Sequence, residues 1–239
     1  MPTPHADRAE AAIGLLMLQT RFPRIPGDIG NPATFPFRVL PRVVPGASAG
    51  AVVRDRAAGL LPAFVAAGRA LVAEGAAGIA TSCGFLSLMQ ADLTEALGVP
   101  VAASALMQVP LAERLLPPGR RAGVLTVAAS SLTPAHLAAA GAAADTPVGT
   151  TEGGRHFTRA ILGDADRLDI AAARDDCVAG ARALCAAHPQ VGAIVLECTN
   201  MGPYAADIAH ATGLPVWSIE SFLRWFHAGL APRRFPPGS

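Results

Sequence analysis

Lysine is absent from the sequence: all 19 basic residues in the 239 are arginine. Pyridoxal phosphate enzymes hold their cofactor as a Schiff base on lysine, so that chemistry is excluded. A phosphate-binding loop of the Gly-Lys-Thr type falls with it. The abundance of Ala, Arg, Gly and Pro makes coding bias a sufficient cause of the absence, but the exclusion stands. Charge is also scarce, at 15% of residues with a net charge of +1, while 51% are apolar. That composition gives a large core and excludes a disordered chain. With one tyrosine, two tryptophans and no basic run, no surface for nucleic acid is expected. The cysteines form no CxxC pair and no Cys/His spacing suited to metal, so neither a metal nor a cofactor is expected. No apolar run reaches the ~18 residues of a membrane span. The opening residues are polar rather than a signal peptide, so a cytoplasmic protein with free thiols is expected.

Strand and helix signals alternate along the chain. Ala12 to Leu18 reads as a buried first strand ending at Gln19 and Thr20, and the Pro/Gly-rich loop after it carries Arg21, Arg24 and Asp28. Val39 to Val44, interrupted by Pro41, reads as an edge strand. Helices are expected over Arg54 to Glu74, Ser87 to Leu97, Leu132 to Ala140, Asp164 to Ala187, Ala205 to Thr212 and Ser221 to Ala228. Strands are expected at Ile79 to Ser82, Val99 to Ala102, Ala122 to Val127, Val191 to Leu196 and after Pro215. The class is α/β, with parallel sheets flanked by helices.

An internal repeat organises these elements. Cys83 and Cys198 stand 115 positions apart. At the same offset Ala91-Asp92-Leu93 matches Ala206-Asp207-Ile208, and Gly98-Val99-Pro100-Val101 matches Gly213-Leu214-Pro215-Val216. The strands at Gly14 and Gly123 pair at a slightly shorter offset. The repeat implies two pseudo-symmetric lobes, each presenting one cysteine at a strand's carboxyl end, where open α/β sheets bind ligands. The lobes are expected at 1–109 with 215–239, and at 110–214. A cysteine between a strand and a helix meets the positive field of the helix N-terminus, which favours thiolate. Thr81, Ser82, Gly84 and Phe85 surround the first, and Thr199 and Asn200 come after the second. Cys177 and Cys185 lie inside a helix and read as packing residues. The Glu152 to Phe157 turn is a weaker candidate for holding an anion, and Glu197, directly before Cys198, reads as either a polar site residue or an ion-pair partner.

These motifs, Thr81-Ser82-Cys83-Gly84 and Glu197-Cys198-Thr199-Asn200-Met201-Gly202-Pro203-Tyr204 with the Gly123 strand and the Gly-x-Pro-Val turns, resemble the aspartate/glutamate/hydantoin racemase superfamily. The resemblance implies two lobes with the active site between them, a homodimer, a small carboxylate substrate and no cofactor. It implies a racemase or epimerase of an amino acid or derivative in which Cys83 and Cys198 exchange protons on opposite faces of one carbon. Thr81, Ser82, Gly84, Phe85, Thr199 and Asn200, with Thr126 and Gln19 at the ends of the paired strands, are the expected substrate-binding residues. Alternatives are a hydantoin racemase, a maleate-type cis–trans isomerase with one nucleophilic cysteine, or a non-catalytic small-acid-binding relative.

Overall fold

The apolar runs fold as two four-stranded parallel sheets in a computed structural model that describes residues 11–233 and Phe235. The polar opening segment, with His5, lies outside the described residues. The first half runs β1 (Ala12–Met17), β2 (Val39–Val43), α1 (Ala49–Val53), α2 (Leu61–Ala73), β3 (Ala76–Thr81), a 3-10 turn (Gly84–Met89), α3 (Gln90–Leu97) and β4 (Val101–Ala102). After a second 3-10 turn (Ala105–Gln108) come α4 (Val109–Arg114), β5 (Arg121–Thr126), α5 (Pro134–Ala139), β6 (Val148–Thr150), α6 (Phe157–Leu162) and α7 (Ile170–Ala187). The chain closes with β7 (Val191–Leu196), a 3-10 turn (Thr199–Tyr204), α8 (Ala205–Thr212), β8 (Val216–Trp217) and α9 (Ile219–Leu230). Strand order is β2-β1-β3-β4 in one sheet and β6-β5-β7-β8 in the other. Every residue of β1 and of β7 is buried, as a strand covered on both faces by helices requires. Among the described residues no helix is long and apolar enough to cross a membrane.

The repeat is visible element by element. β3, the cysteine turn, α3 and β4 recur as β7, the second cysteine turn, α8 and β8 at the constant offset of 115. Even the helix stops agree: Gly98 and Gly213 close α3 and α8 in the left-handed conformation, at φ of 64° and 68°.

Two expected helices are shorter than their sequence pattern. Arg54 to Glu74 is broken because Arg56, Ala57 and Gly59 all take positive φ, and α2 restarts on Pro62 in its first turn. The stretch from Asp164 yields a helix only from Ile170, where the Asp169 carboxylate accepts the Ala172 N–H; Asp164 itself has φ of 51°. The short edge strand β6 and helix α6 were not marked by periodicity. The last helix of each half crosses to the other lobe. α4 packs on β5, and α9 packs on β3, where Gly78 makes room for Phe226 and Leu230. β8 still pairs with β7, so the chain returns to the first lobe after Trp217 rather than at residue 215.

Candidate active site

Each cysteine stands two residues beyond the end of a central strand and immediately before a 3-10 turn, and the two turns meet. Thr199 Oγ1 donates to the Ser82 carbonyl at 2.8 Å, joining them directly. Gly84 lies so close to the opposite turn that an added Cβ would sit 2.4 Å from the Glu197 carbonyl. Between them is a narrow cleft whose polar end holds Ser82, Cys83, Gly84, Cys198, Thr199 and Asn200. Its apolar walls come from both lobes: Leu18, Phe22, Ala49 and Val53 on one side, Val127, Ile161 and Leu162 on the other. The enclosed volume is about 20 Å³, room for about one water. A substrate of several heavy atoms needs these walls to part.

The electrostatics differ from the sequence expectation. A helix N-terminus was expected to favour thiolate at both positions. Burial instead raises both thiols well above their ordinary range, and the charge of Glu197 adds to it. The opposing contacts are the backbone N–H of Phe85 on Cys83 and that of Asn200 on Cys198, with a weaker pull from Arg24 on Cys83. Short 3-10 turns contribute one such N–H apiece, which is less than removing the sulfur from water takes away.

Glu197 is a functional candidate whose role the sequence left open. It is fully buried and lines the cleft. Thr126 Oγ1 donates to its Oε2 at 2.7 Å, while Oε1 has no partner. Burial lifts its pKa to about 7 against the pull of Thr126 and the Val127 N–H. The signal was present in the repeat: at an offset of 115, Glu197 is the counterpart of Ser82.

Behind Cys198 runs a buried polar chain. The Cys198 thiol lies 3.6 Å from Asn200 Oδ1, Asn200 Nδ2 donates to Asp28, and Asp28 pairs with Arg24 at 3.0 Å. The long loop after β1 thus reaches the second cysteine from the other lobe. Arg21 on that loop binds Asp164 of the α6–α7 connection, next to the wall residues Phe22, Ile161 and Leu162.

The other expected residues support the turns or lie away from the cleft. Thr81, Phe85 and Thr126 are buried behind it; Thr81 Oγ1 donates to the Ala103 carbonyl at 2.6 Å and holds the first turn in shape. Gln19 faces outward and accepts the Gly46 N–H at 3.1 Å. The Glu152 to Phe157 turn does hold an anion, but an internal one: the Asp176 carboxylate accepts N–H bonds from Arg155, His156 and Phe157 at 3.0, 2.7 and 2.8 Å. Cys177 is buried in α7, and Cys185 is half-buried. No cluster of three metal-ligating side chains occurs among the described residues.

Twin parallel sheets with a cysteine turn from each meeting in one cleft decide the fold. Arylmalonate decarboxylase superposes with a TM-score of 0.59 at 19% identity, over 92% of each chain. Allantoin racemase from Klebsiella pneumoniae does so with 0.56 at 16% identity, over 95% of this chain and 96% of that one. This is the aspartate/glutamate/hydantoin racemase fold. No family model matches the chain. Dimethylsulfoniopropionate lyase 5 of Emiliania huxleyi is 30% identical over 234 residues, 93% of this chain. The dimethylsulfoniopropionate lyase of Durusdinium sp. clade D is 27% identical over 226 residues, 90% of this chain and 75% of its own length. The chain spans 46% of the length of the Emiliania protein. These relatives correct the functional expectation drawn from the racemase fold. They are lyases, so the fold's two cysteines do not make this chain an amino-acid racemase or another isomerase.

Proposed function

We propose that this chain is a lyase that removes the proton beside a carboxylate and expels a sulfonium group from the next carbon, with dimethylsulfoniopropionate as its substrate. The observation that carries this is the charge of the cleft: among the described residues that line it no side chain is cationic, and Glu197 is the one carboxylate. A dicarboxylate meets repulsion there, whereas a zwitterion with a positive sulfonium meets attraction. The sulfonium methyl groups fit the apolar walls of Phe22, Val53, Ile161 and Leu162. The carboxylate fits the start of the second turn at Thr199 and Asn200, which offers backbone N–H groups, rather than Gly84, which the Glu197 carboxylate faces.

The chemistry requires one base. A cysteine thiolate takes the proton from the carbon next to the carboxylate. The electron pair forms the carbon–carbon double bond, and the carbon–sulfur bond breaks with its pair on the leaving sulfide. The products are acrylate and dimethyl sulfide. The sulfide leaves neutral and needs no acid. We assign the base to Cys198, whose sulfur is held by Asn200 and, through it, by Asp28 and Arg24.

Incubation with dimethylsulfoniopropionate is expected to release dimethyl sulfide into the headspace and acrylate into solution in equal amounts, seen by gas chromatography and proton NMR. Cys198→Ala is expected to lose ~10²–10⁴-fold in rate, and Cys83→Ala markedly less. Folded wild-type protein that releases no sulfide above the uncatalysed rate rules out the proposal; equal losses in the two variants remove the assignment to Cys198.

A further inference from the structure

The two residues that precede the cysteines do the same structural task with different means. In the first lobe, Ser82 Oγ accepts the N–H of Leu18 at 2.9 Å and so ties its turn to the end of β1. In the second lobe the equivalent N–H, that of Val127 at the end of β5, is met by the carboxylate of Glu197. A neutral hydroxyl suffices for the tether, as Ser82 shows, so the charge of Glu197 serves something else. Thr126 donates to Oε2, while Oε1 is buried without a partner. Oε1 faces Gly84 of the opposite turn; a side chain there would collide with it, and the bare glycine leaves this oxygen uncovered beside the cleft. Among the described residues no arginine or histidine forms an ion pair with Glu197. A buried carboxylate with neither a cation nor a full set of donors costs stability. A ligand that brings the positive charge offsets that cost.

We infer that Glu197 is the counter-ion for a fully alkylated onium group, sulfonium or quaternary ammonium, and makes the cleft specific for small carboxylates that carry one. For the reaction this rests on the lyase reading; for the class of ligand it goes beyond it. An onium centre has no N–H or O–H to donate. Its counter-ion meets it through charge and methyl contact, and an oxygen with no hydrogen-bond partner suits that contact. A primary ammonium brings three donors. The apolar walls, among them Val53, Val127, Ile161 and Leu162, offer those donors no acceptor, so a free amine entering here leaves donors unpaired. Methyl groups pack against the same walls without that cost.

Aromatic faces are the other common partner of onium ions. Among the described residues Phe22 is the one aromatic side chain that lines the cleft, and the Arg24 guanidinium already stands over its ring, 4.9 Å from the centroid. A ring that faces one cation attracts a second one less. The charge of the ligand is therefore left to Glu197.

The test compares, on the whole protein, two ligands of one shape and different charge. One is the trimethylammonium analogue of dimethylsulfoniopropionate; the other has carbon in place of the nitrogen and is otherwise the same carboxylate. Neither contains sulfur. Affinities are measured by isothermal titration calorimetry at pH 8, where Glu197, lifted by burial to about 7, is ionised. Wild type is expected to bind the ammonium compound about tenfold more tightly or better, as a desolvated charge pair contributes, and to bind β-alanine more weakly than that compound. Glu197→Gln and Glu197→Ser both keep an acceptor for the Val127 N–H, serine being the first lobe's own solution, and each is expected to bring the two matched ligands level. Equal wild-type affinities, no binding of either ligand, β-alanine bound as tightly as the ammonium compound, or a preference that survives in a folded variant overturns the inference. Dimethyl sulfide release separates the two readings. A charge preference without release from dimethylsulfoniopropionate removes the lyase reading and leaves this one. Release with equal binding of the two ligands does the reverse.

Discussion

Glu197 and Asp176 are both buried carboxylates, and their surroundings send them in opposite directions. Burial pushes both upward. Three backbone N–H bonds more than reverse this for Asp176, whose pKa ends below its ordinary value, while Glu197 has too few partners and rises to about 7. Between the ordinary glutamate range and pH 7 the folded protein therefore holds a proton at Glu197 that the unfolded chain has released. Stability from this group is present at low pH and lost as pH rises towards 7. Glu197→Gln lacks that loss. Urea unfolding at pH 4.5 and pH 8 is expected to show the variant gaining on wild type by on the order of 3 kcal/mol. A difference that does not change with pH would mean the carboxylate is well solvated. For Asp176 the sign is reversed, since its stabilisation is present above the ordinary aspartate range and fades in acid. Asp176→Ala leaves three N–H groups, one buried and two half-buried, without their acceptor, and a loss of ~2–4 kcal/mol at pH 7 is expected by the same method. A loss below ~0.5 kcal/mol would show that water replaces it.

At the scale of elements, the loop after β1 joins what the repeat leaves apart. It starts in the first lobe, and its Asp28 reaches Asn200 while its Arg21 reaches Asp164, both in the second. The Arg21 side chain is largely exposed, so its ion pair contributes less than ~1 kcal/mol to stability. Its effect is expected in motion instead. The cleft as it stands holds about one water, and the wall residues Phe22 and Ile161 flank this pair. Arg21→Ala is expected to leave urea unfolding unchanged and to speed iodoacetamide alkylation of Cys198 severalfold at fixed pH, because the walls part more often. Unchanged alkylation would place the rate-limiting opening elsewhere.

The whole molecule depends on how closely its halves approach. Gly84 sets that distance: a methyl group there would stand 2.4 Å from the Glu197 backbone oxygen, which cannot yield as a side chain can. Its φ is not positive, so the constraint comes from the other lobe and not from its own backbone. Gly84→Ala is expected to cost ~1–3 kcal/mol by overpacking and to lower turnover by forcing the cysteine turns apart. Gly153→Ala, with nothing within 4 Å of the added carbon, is the control and is expected to be near neutral. A variant at Gly84 that matches the control would show the turns to be free to separate.

The sequence by itself determined the architecture, because period, punctuation and repeat are local properties. Apolar runs gave the strands, and a constant offset of 115 placed Cys83 and Cys198 in equivalent turns. Sequence pattern carried the Arg54 to Glu74 helix too far because apolar spacing does not register the departures of Arg56, Ala57 and Gly59 to positive φ. Only the tertiary structure decided which polar atoms meet. Glu197 read as a polar site residue or an ion-pair partner until burial, Thr126 and the bare Gly84 surrounded it. The Glu152 to Phe157 turn looked open to a ligand until Asp176, some twenty residues on, filled it. The kind of reaction was the least legible. The resemblance to the racemases implies removal of a proton beside a carboxylate by the cysteines, and the proposed lyase reaction needs the same step. On the proposed lyase reading the fate of the electron pair depends on whether the next carbon bears a leaving group, which belongs to the substrate; the charge and apolar walls of the cleft are assembled from both lobes.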